Sequence, residues 1–237
     1  MKSFIAFFAA IALIAVTATD ASAQSRQSTI RSDRMDAFST ISLSGNLNVE
    51  LLPSDRDSIS ITLIDSDIAK FKWNVSQDGE LSAALRSGGS GRADIKIYSA
   101  HPVTAISVSG SSLLINDTLK GNSLVMNVSG GGKVTALVDL LDLDLTASGN
   151  SAASFTGRAK YLTLRASESS KVNCRYLQSV SVQVDASTKA EVFVWGSERA
   201  VMSAGSNAAI FYRGKPVVVK ASIPKISMGA SINNIGE

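Results

Sequence analysis

The stretch VMNVSGGGKVTALV, residues 125–138, decides how this chain is read. Three glycines and a lysine, Gly130-Gly131-Gly132-Lys133, follow an apolar run, as in a loop that cradles phosphate. A phosphate loop spaces its residues as G-x-x-x-x-G-K-[ST], so that backbone amides wrap the phosphates and a hydroxyl holds magnesium. Here the glycines are contiguous and Val134 follows the lysine. The later GGSGRAD (88–94) fails the dinucleotide fingerprint as well, since its third glycine is absent. A different explanation comes from the surrounding chain, where the pattern recurs.

Segments aligned on Gly110, Gly130, Gly149, Glu168, Thr188 and Ser206 are spaced by 20, 19, 19, 20 and 18 residues. Two positions before each anchor stand Val108, Val128, Ala147, Ala166, Ala186 and Ala204; four before stand Ile106, Met126, Leu145, Leu164, Val184 and Met202. Six before come Thr104, Leu124, Leu143, Leu162, Val182 and Ala200, and four after come Leu114, Val134, Ala153, Val172, Val192 and Ile210. Apolar residues two apart along a strand share one face, so each column points inward in every copy. A single short strand cannot bury that face alone, whereas stacked copies cover one another. The period predicts an all-β fold, a parallel β-helix (β-solenoid) of ~19-residue rungs turning at the Ser-Gly corners. Lys171 and Glu191 share an outer column in consecutive copies, as do Arg165 and Asp185. Each pair is expected side by side as a weak surface ion pair of ~0–1 kcal/mol.

Upstream, FSTISLSGNLNVELL (38–52) repeats the columns as a degenerate first rung, with Ile41, Leu43, Ser44, Gly45 and Val49 in place. Between it and the array lie strand-like runs at 59–64, 71–76, 81–85 and 93–98, a hairpin turn at QDGE (77–80) and a flexible loop at RSGGSGR (86–92). Residues 38–102 therefore read as a strand-rich N-terminal part that packs against or caps the solenoid array of 103–235. A cap shields strand edges that an open end would expose.

The chain opens with a secretory signal pattern over residues 1–23: Lys2, an apolar run from Phe4 to Val16, and the small-x-small Ala21-Ser22-Ala23. The run is shorter than the ~20 residues a membrane span needs. Residues 24–37 read as a linker, and the mature chain as exported to the periplasm, cell surface or medium of a bacterium, with no transmembrane span. Cys174 is the only cysteine, so no internal disulfide forms.

The order of FSTISLSGNLNVEL, DIKIYSAHPVTAISVSGSS (94–112), the SG corners and FYRGKPVV (211–218) resembles the family described as putative auto-transporter adhesin, head GIN domain. The resemblance spans roughly 37–235. It implies an exported β-helical envelope protein with no established reaction and an adhesin-like role. The family's Gly-Ile-Asn tripeptide stands here as Ser231-Ile232-Asn233, without its glycine. The ~10-residue alternating strands of a C-terminal membrane barrel are not found, so self-translocation is not expected.

For chemistry the sequence offers little. His101 is the only histidine, which excludes multi-histidine metal sites and leaves a Ser-His-Asp triad only by way of this residue. Cys174 shares the column of Ala136, Phe155, Val194 and Tyr212 and reads as a buried structural thiol. Sugar-cleaving β-helices need convergent carboxylates, yet Asp139, Asp142, Asp144, Glu168, Asp185 and Glu191 occupy mostly different columns. Asp142 and Asp144 share a face, but the next rung places Tyr161 and Thr163 beside them. No catalytic, cofactor-binding or metal-binding residues are assigned. The expectation is a non-enzymatic surface module of adhesin-like or glycan-binding type; the alternative is a polysaccharide lyase or glycosidase on the same fold.

Charge provides the remaining signal. The chain carries a formal net charge of +3, and no acidic residue lies between Arg199 and Gly236. Arg199, Arg213, Lys215, Lys220 and Lys225 make that end basic. Either they contact an acidic glycan, lipopolysaccharide or membrane surface, or they guard an exposed terminal strand against edge-to-edge pairing. Nucleic acid is not expected as a partner, because aromatic residues are not interleaved with these charges.

Overall fold

The structure, a computed structural model, describes residues 27–32, 35–65, 68–86, 91–224 and 229–236. It is a β-solenoid of about six turns, and no helix among the described residues is long and apolar enough to cross a membrane. Residues 1–23 and Lys225 lie outside the described residues, as do 87–90 of the expected flexible loop.

Among the described residues seven strands precede the array: β1 (Gln27–Ser32), β2 (Thr40–Ser44), β3 (Leu47–Pro53), β4 (Ser58–Ile64), β5 (Phe71–Val75), β6 (Glu80–Leu85) and β7 (Arg92–Ser99). The last four coincide with the four runs read from the sequence. β5 and β6 form the expected hairpin, closed by Gly79 N–H donating to the Ser76 carbonyl at 3.1 Å. β1 lies within the stretch read as linker. It pairs antiparallel with β4 through its backbone, which needs no apolar alternation in the added strand.

The array follows with β8 (Ala105–Ser109), β9 (Ser112–Ser129), β10 (Lys133–Ala147), β11 (Ala152–Ala166), β12 (Lys171–Ala186) and β13 (Glu191–Ala204). Three short strands close it: β14 (Ala209–Arg213), β15 (Val217–Ser222) and β16 (Ser231–Asn234). Each long strand bends once, so its first half belongs to one face and its second half to the other. The first face runs β1-β4-β7-β3-β9-β10-β11-β12-β13-β14-β16. The second runs from β5 through β6, β2 and β8 to the second halves of β9–β13 and then β15. Among the described residues all pairings inside the array are parallel, and antiparallel pairs occur only where β1, β4 and β5 join the N-terminal end.

The inward columns are the core. Ile106, Met126, Leu145, Leu164, Val184 and Met202 are all buried, as are Val108, Val128 and the alanines in line with them. The degenerate first rung stacks as expected, with Ile41 beside Ile106 and Leu43 beside Val108. Two column assignments shift. Val134 pairs with Leu113 rather than Leu114, which is 37% exposed, because the corner at Gly110 is one residue shorter than its neighbours. Thr104 is exposed at the mouth of its rung, and Val103 is buried instead.

Sharp corners explain the glycines. Both central residues of the five corners after Gly110 are left-handed: Gly130 and Gly131 (φ 55° and 78°), Gly149 and Asn150 (64° and 57°), Glu168 and Ser169 (53° and 62°), Thr188 and Lys189 (50° and 64°), Ser206 and Asn207 (45° and 63°). That is the signature of a type I′ turn. At the triple-glycine corner, Gly132 N–H donates to the Ser129 carbonyl at 2.8 Å to close the turn. Gly131 N–H donates to the Gly149 carbonyl at 2.8 Å, so the inter-rung ladder continues around the corner. At the Glu168–Ser169 corner a serine after the turn satisfies backbone: buried Ser170 Oγ donates to the Ala147 carbonyl one rung back, at 3.1 Å.

Candidate functional site

Outer columns, which the core does not constrain, carry the chemistry. On the first face, position five after each anchor holds Thr135, Ser154, Asn173, Phe193 and Phe211. Position seven holds Leu137, Thr156, Arg175, Trp195 and Arg213. Parallel register sets Phe193 beside Phe211 and Trp195 beside Arg213. The two phenylalanine rings stack with centroids 4.7 Å apart at 14°. Arg213 lays its guanidinium over the Trp195 ring, with Cζ 4.4 Å from the centroid.

A bulge in β12 sets the other arginine. Asn173 pairs with Phe193, but the next ladder partner of β13, Trp195, meets Gln178. The extra β12 residues push Arg175 and Tyr176 outward, in keeping with the way bulges re-aim side chains. Asn173 Oδ1 accepts the Arg175 backbone N–H at 3.2 Å and holds the bulge. The Arg175 guanidinium then covers Phe193, with Cζ 4.4 Å from its centroid. Phe193 is thus flanked by an arginine and a second ring. Neither guanidinium has an acidic partner among the described residues, and the Nε of each is shielded from water without an acceptor.

Beside this cluster runs a groove of about 390 Å³ across β10–β13, lined by Lys133, Thr135, Ser154, Lys171, Arg175 and Phe193 among others. Within its lining the small Ala152 stands between Lys133 and Lys171 of the neighbouring rungs. Lys171 Nζ and Glu191 Oε2 lie 4.0 Å apart at its edge, as the shared column predicted. The second predicted pair changes partner. Arg165 and Asp185 are Cα neighbours, yet the Arg165 guanidinium donates to Asp144 Oδ1 at 2.8 Å. A long side chain reaches a diagonal neighbour as readily as the one opposite.

The structure spreads the basic residues over both faces rather than gathering them. Arg213 stacks on the first face, Arg199 begins the second half of β13, and Lys220 lies on β15. Lys215 sits in the connection between β14 and β15. Of the carboxylates, Asp142 and Asp144 stand beside Tyr161 and Thr163, as read from the sequence.

His101 has a partner that no local pattern shows. Its Nδ1 lies 2.8 Å from Asp57 Oδ2, and that carboxylate is only 5% exposed. Asp57 Oδ1 also accepts the Ala100 backbone N–H at 2.7 Å. The serine hydroxyls lining the adjacent 270 Å³ pocket are directed elsewhere: Ser99 Oγ donates to the His101 carbonyl at 2.8 Å, and Ser54 Oγ to Asp55 Oδ1 at 3.4 Å. The dyad therefore fastens the 99–103 connection to the β3–β4 turn and has no serine nucleophile attached. Cys174 is fully buried in its predicted column, and burial pushes its thiol pKa up to about 12. A thiol in that environment is not a nucleophile at neutral pH.

Fold and site together define a two-faced parallel β-solenoid with an antiparallel N-terminal end and an aromatic-arginine outer surface. The chain belongs to the family described as putative auto-transporter adhesin, head GIN domain, whose model matches residues 37–216. The match ends short of residue 235, the end of the resemblance read from the sequence. Among solved structures, the fold is similar to that of a putative adhesin from Bacteroides fragilis, with a TM-score of 0.74 at 16% identity, covering 91% of this chain and 96% of that one. It is also similar to a putative lipid binding protein from Parabacteroides distasonis, with a TM-score of 0.67 at 18% identity over 90% of this chain and 97% of that one. A putative adhesin from Parabacteroides merdae aligns with a TM-score of 0.60 at 16% identity, over 90% and 95% of the two chains. No curated protein matches.

Proposed function

We propose that this chain is an exported, non-enzymatic, adhesin-like module of the bacterial envelope that binds glycan through the outer surface of its stacked rungs. The observation that carries this reading is the grooved, ring-bearing first face, where consecutive rungs repeat the same outward positions at one strand spacing. Such a surface offers equivalent contacts along its axis, which suits an extended polymer better than a compact metabolite. Membership of the adhesin-head family and the signal pattern of residues 1–23 support the same assignment.

Within the basic set, Arg213 is the member we assign to contact, because it is fixed over Trp195, two residues along β13 from the groove-lining Phe193. Lys220 is better placed as an edge guard, since β15 pairs with β13 alone among the described residues. The test is incubation of the purified protein with a panel of acidic polysaccharides, following both retention and chain ends. Saturable retention with no new ends is expected. Release of unsaturated or reducing ends would overturn the non-enzymatic reading, and the absence of retention on every polysaccharide would overturn the glycan reading. Cell fractionation is expected to place the chain outside the cytoplasm.

A further inference from the structure

The glycan reading can be narrowed to a ligand class, and the narrower assignment rests on that reading. Three features of the first face converge on rungs 168, 188 and 206. Two guanidinium groups lie over aromatic rings, Arg175 over Phe193 and Arg213 over Trp195, each with Cζ 4.4 Å from the ring centroid. Each keeps its Nε sheltered from solvent with no acceptor, and neither is neutralised by a carboxylate among the described residues. Phe193 and Trp195 are two apart on β13, so they share its outer face. The two arginines approach that face from opposite sides, one from β12 and one from β14.

A guanidinium stacked on a ring has little rotational freedom left to lose, and its N–H edge stays available for a planar bidentate acceptor. Its charge is held where surrounding rings exclude water, so an arriving anion meets a stronger field than at a solvated lysine. The acceptor that matches this edge is a carboxylate. Between the arginines lie the half-buried side chains of Phe193 and Trp195, and the groove adjoins Phe193 and Arg175 on the β10–β12 side, apolar surface against which the C–H faces of sugar rings can pack. Strand spacing sets the span between rungs 168 and 206 at roughly 10 Å, more than one monosaccharide needs and suited to a chain. The longest run of exposed aliphatic side chains, Val217, Val218, Val219 and Ile223, lies on and just beyond β15, which belongs to the other face, away from the two arginines.

We propose that the first face of rungs 168–206 binds a uronate polysaccharide, with Arg175 and Arg213 each gripping a carboxylate and Phe193, Trp195 and Phe211 supporting the sugar rings. The β12 bulge is part of the site, because it carries Arg175 onto Phe193.

The experiment measures binding of the full chain to polygalacturonate, with dextran as neutral reference and phosphatidylglycerol vesicles as competitor. The variants are Arg175→Lys, Arg213→Lys and Lys220→Gln, each checked by circular dichroism and thermal midpoint. Replacement by lysine keeps the charge and removes the planar fork. Each Arg→Lys change is therefore expected to weaken binding by about tenfold, with Lys220→Gln within about twofold of the parent. Dextran should not bind and vesicles should not compete. Polygalacturonate binding that survives both Arg→Lys changes overturns this site and leaves the glycan reading standing. Equal loss with Lys220→Gln moves the contact to β15. Vesicles that compete through the two arginines replace the saccharide by a lipid headgroup. If no polysaccharide binds at all, both this site and the reading beneath it fall.

Discussion

Thr188 occupies the left-handed region at φ 50°, a conformation that a β-branched residue reaches only at a cost. Its equivalents one and two corners back are Glu168 and Gly149, so the position itself demands a positive φ, whatever side chain stands there. Asparagine tolerates that region without the unfolded-state entropy of glycine. Thr188→Asn is accordingly expected to stabilise the fold by ~0.5–1 kcal/mol, read as a raised urea midpoint at unchanged slope. Gly149→Thr reverses the logic: a Cβ there would lie 3.0 Å from Gly130 N, and a loss of ~1–2 kcal/mol is expected. An unchanged midpoint in both variants would show that the corners hold no strain. Cys174 gives a pH-dependent counterpart. Burial raises its pKa from 9.0 to about 12 in the folded chain, so its contribution is intact below pH 9 and is lost as pH rises from there towards 12. The stability difference between the parent and Cys174→Ala is expected to be flat up to pH 8. By pH 10 it should shift against the parent by ~1.4 kcal/mol, the value of one pH unit inside that window. A difference that stays flat to pH 11 would mean that the thiol ionises in the native state.

At the scale of the element, the long strands depend on a soft bend as much as on the sharp corner. Gly157 in β11 has φ 103°, and a Cβ there would land on the Val138 carbonyl oxygen of the preceding rung. Neither atom can give way, because both belong to laddered backbone. Gly157→Ala is expected to cost ~3–5 kcal/mol. Gly121→Ala is the control. It lies near the bend of β9, where an added methyl would meet only Leu140 Cδ2 at 3.6 Å, and a change within ~0.5 kcal/mol is expected. Equal losses in chemical denaturation would show that the bend tolerates substitution. The same contrast explains what could be read from sequence. Inward columns such as Leu145-Leu164-Val184 are legible because burial forces one residue class at one spacing in every rung. The slip from Leu114 to Leu113 was hidden, since a corner that is one residue shorter changes no local alternation. Phe193 and Trp195 stood in plain view at outward positions five and seven. Reading those columns as closely as the inward ones would have found the ladder. No reading would have placed Arg175 on Phe193, which depends on a bulge, or His101 on Asp57, which closes 44 residues of chain.

For the whole molecule, stacking makes stability a property of neighbours along one axis. An interior strand such as β11 is laddered on both sides over nearly its full length, whereas β15 and β16 each have a single partner among the described residues. The other end is finished differently: β1, β4 and β5 run antiparallel and extend both faces with strands that the repeat does not supply. In a solenoid each rung adds its own stability plus an interface term with each neighbour, so a terminal rung lacks one of those terms. The exposed valines of β15, with Val217 at 71% exposure, add almost nothing by burial. Opening should therefore begin at β15 and β16 and proceed toward β12, with the free energy of opening rising along the axis to the global value. Hydrogen exchange followed by peptide mass spectrometry tests this gradient. Peptides covering residues 133–166 are expected to exchange last, and those covering 217–222 and 231–234 at least ~100-fold sooner. Edge exposure is a property of the monomer, so the measurement belongs at a concentration where light scattering shows one chain per particle. Uniform protection would mean that the stack opens as a single cooperative unit and that nearest-neighbour accounting fails here. Protection of 217–222 equal to that of β11 would mean that the residues following β15 cover its edge, and that Lys220 has no edge to guard.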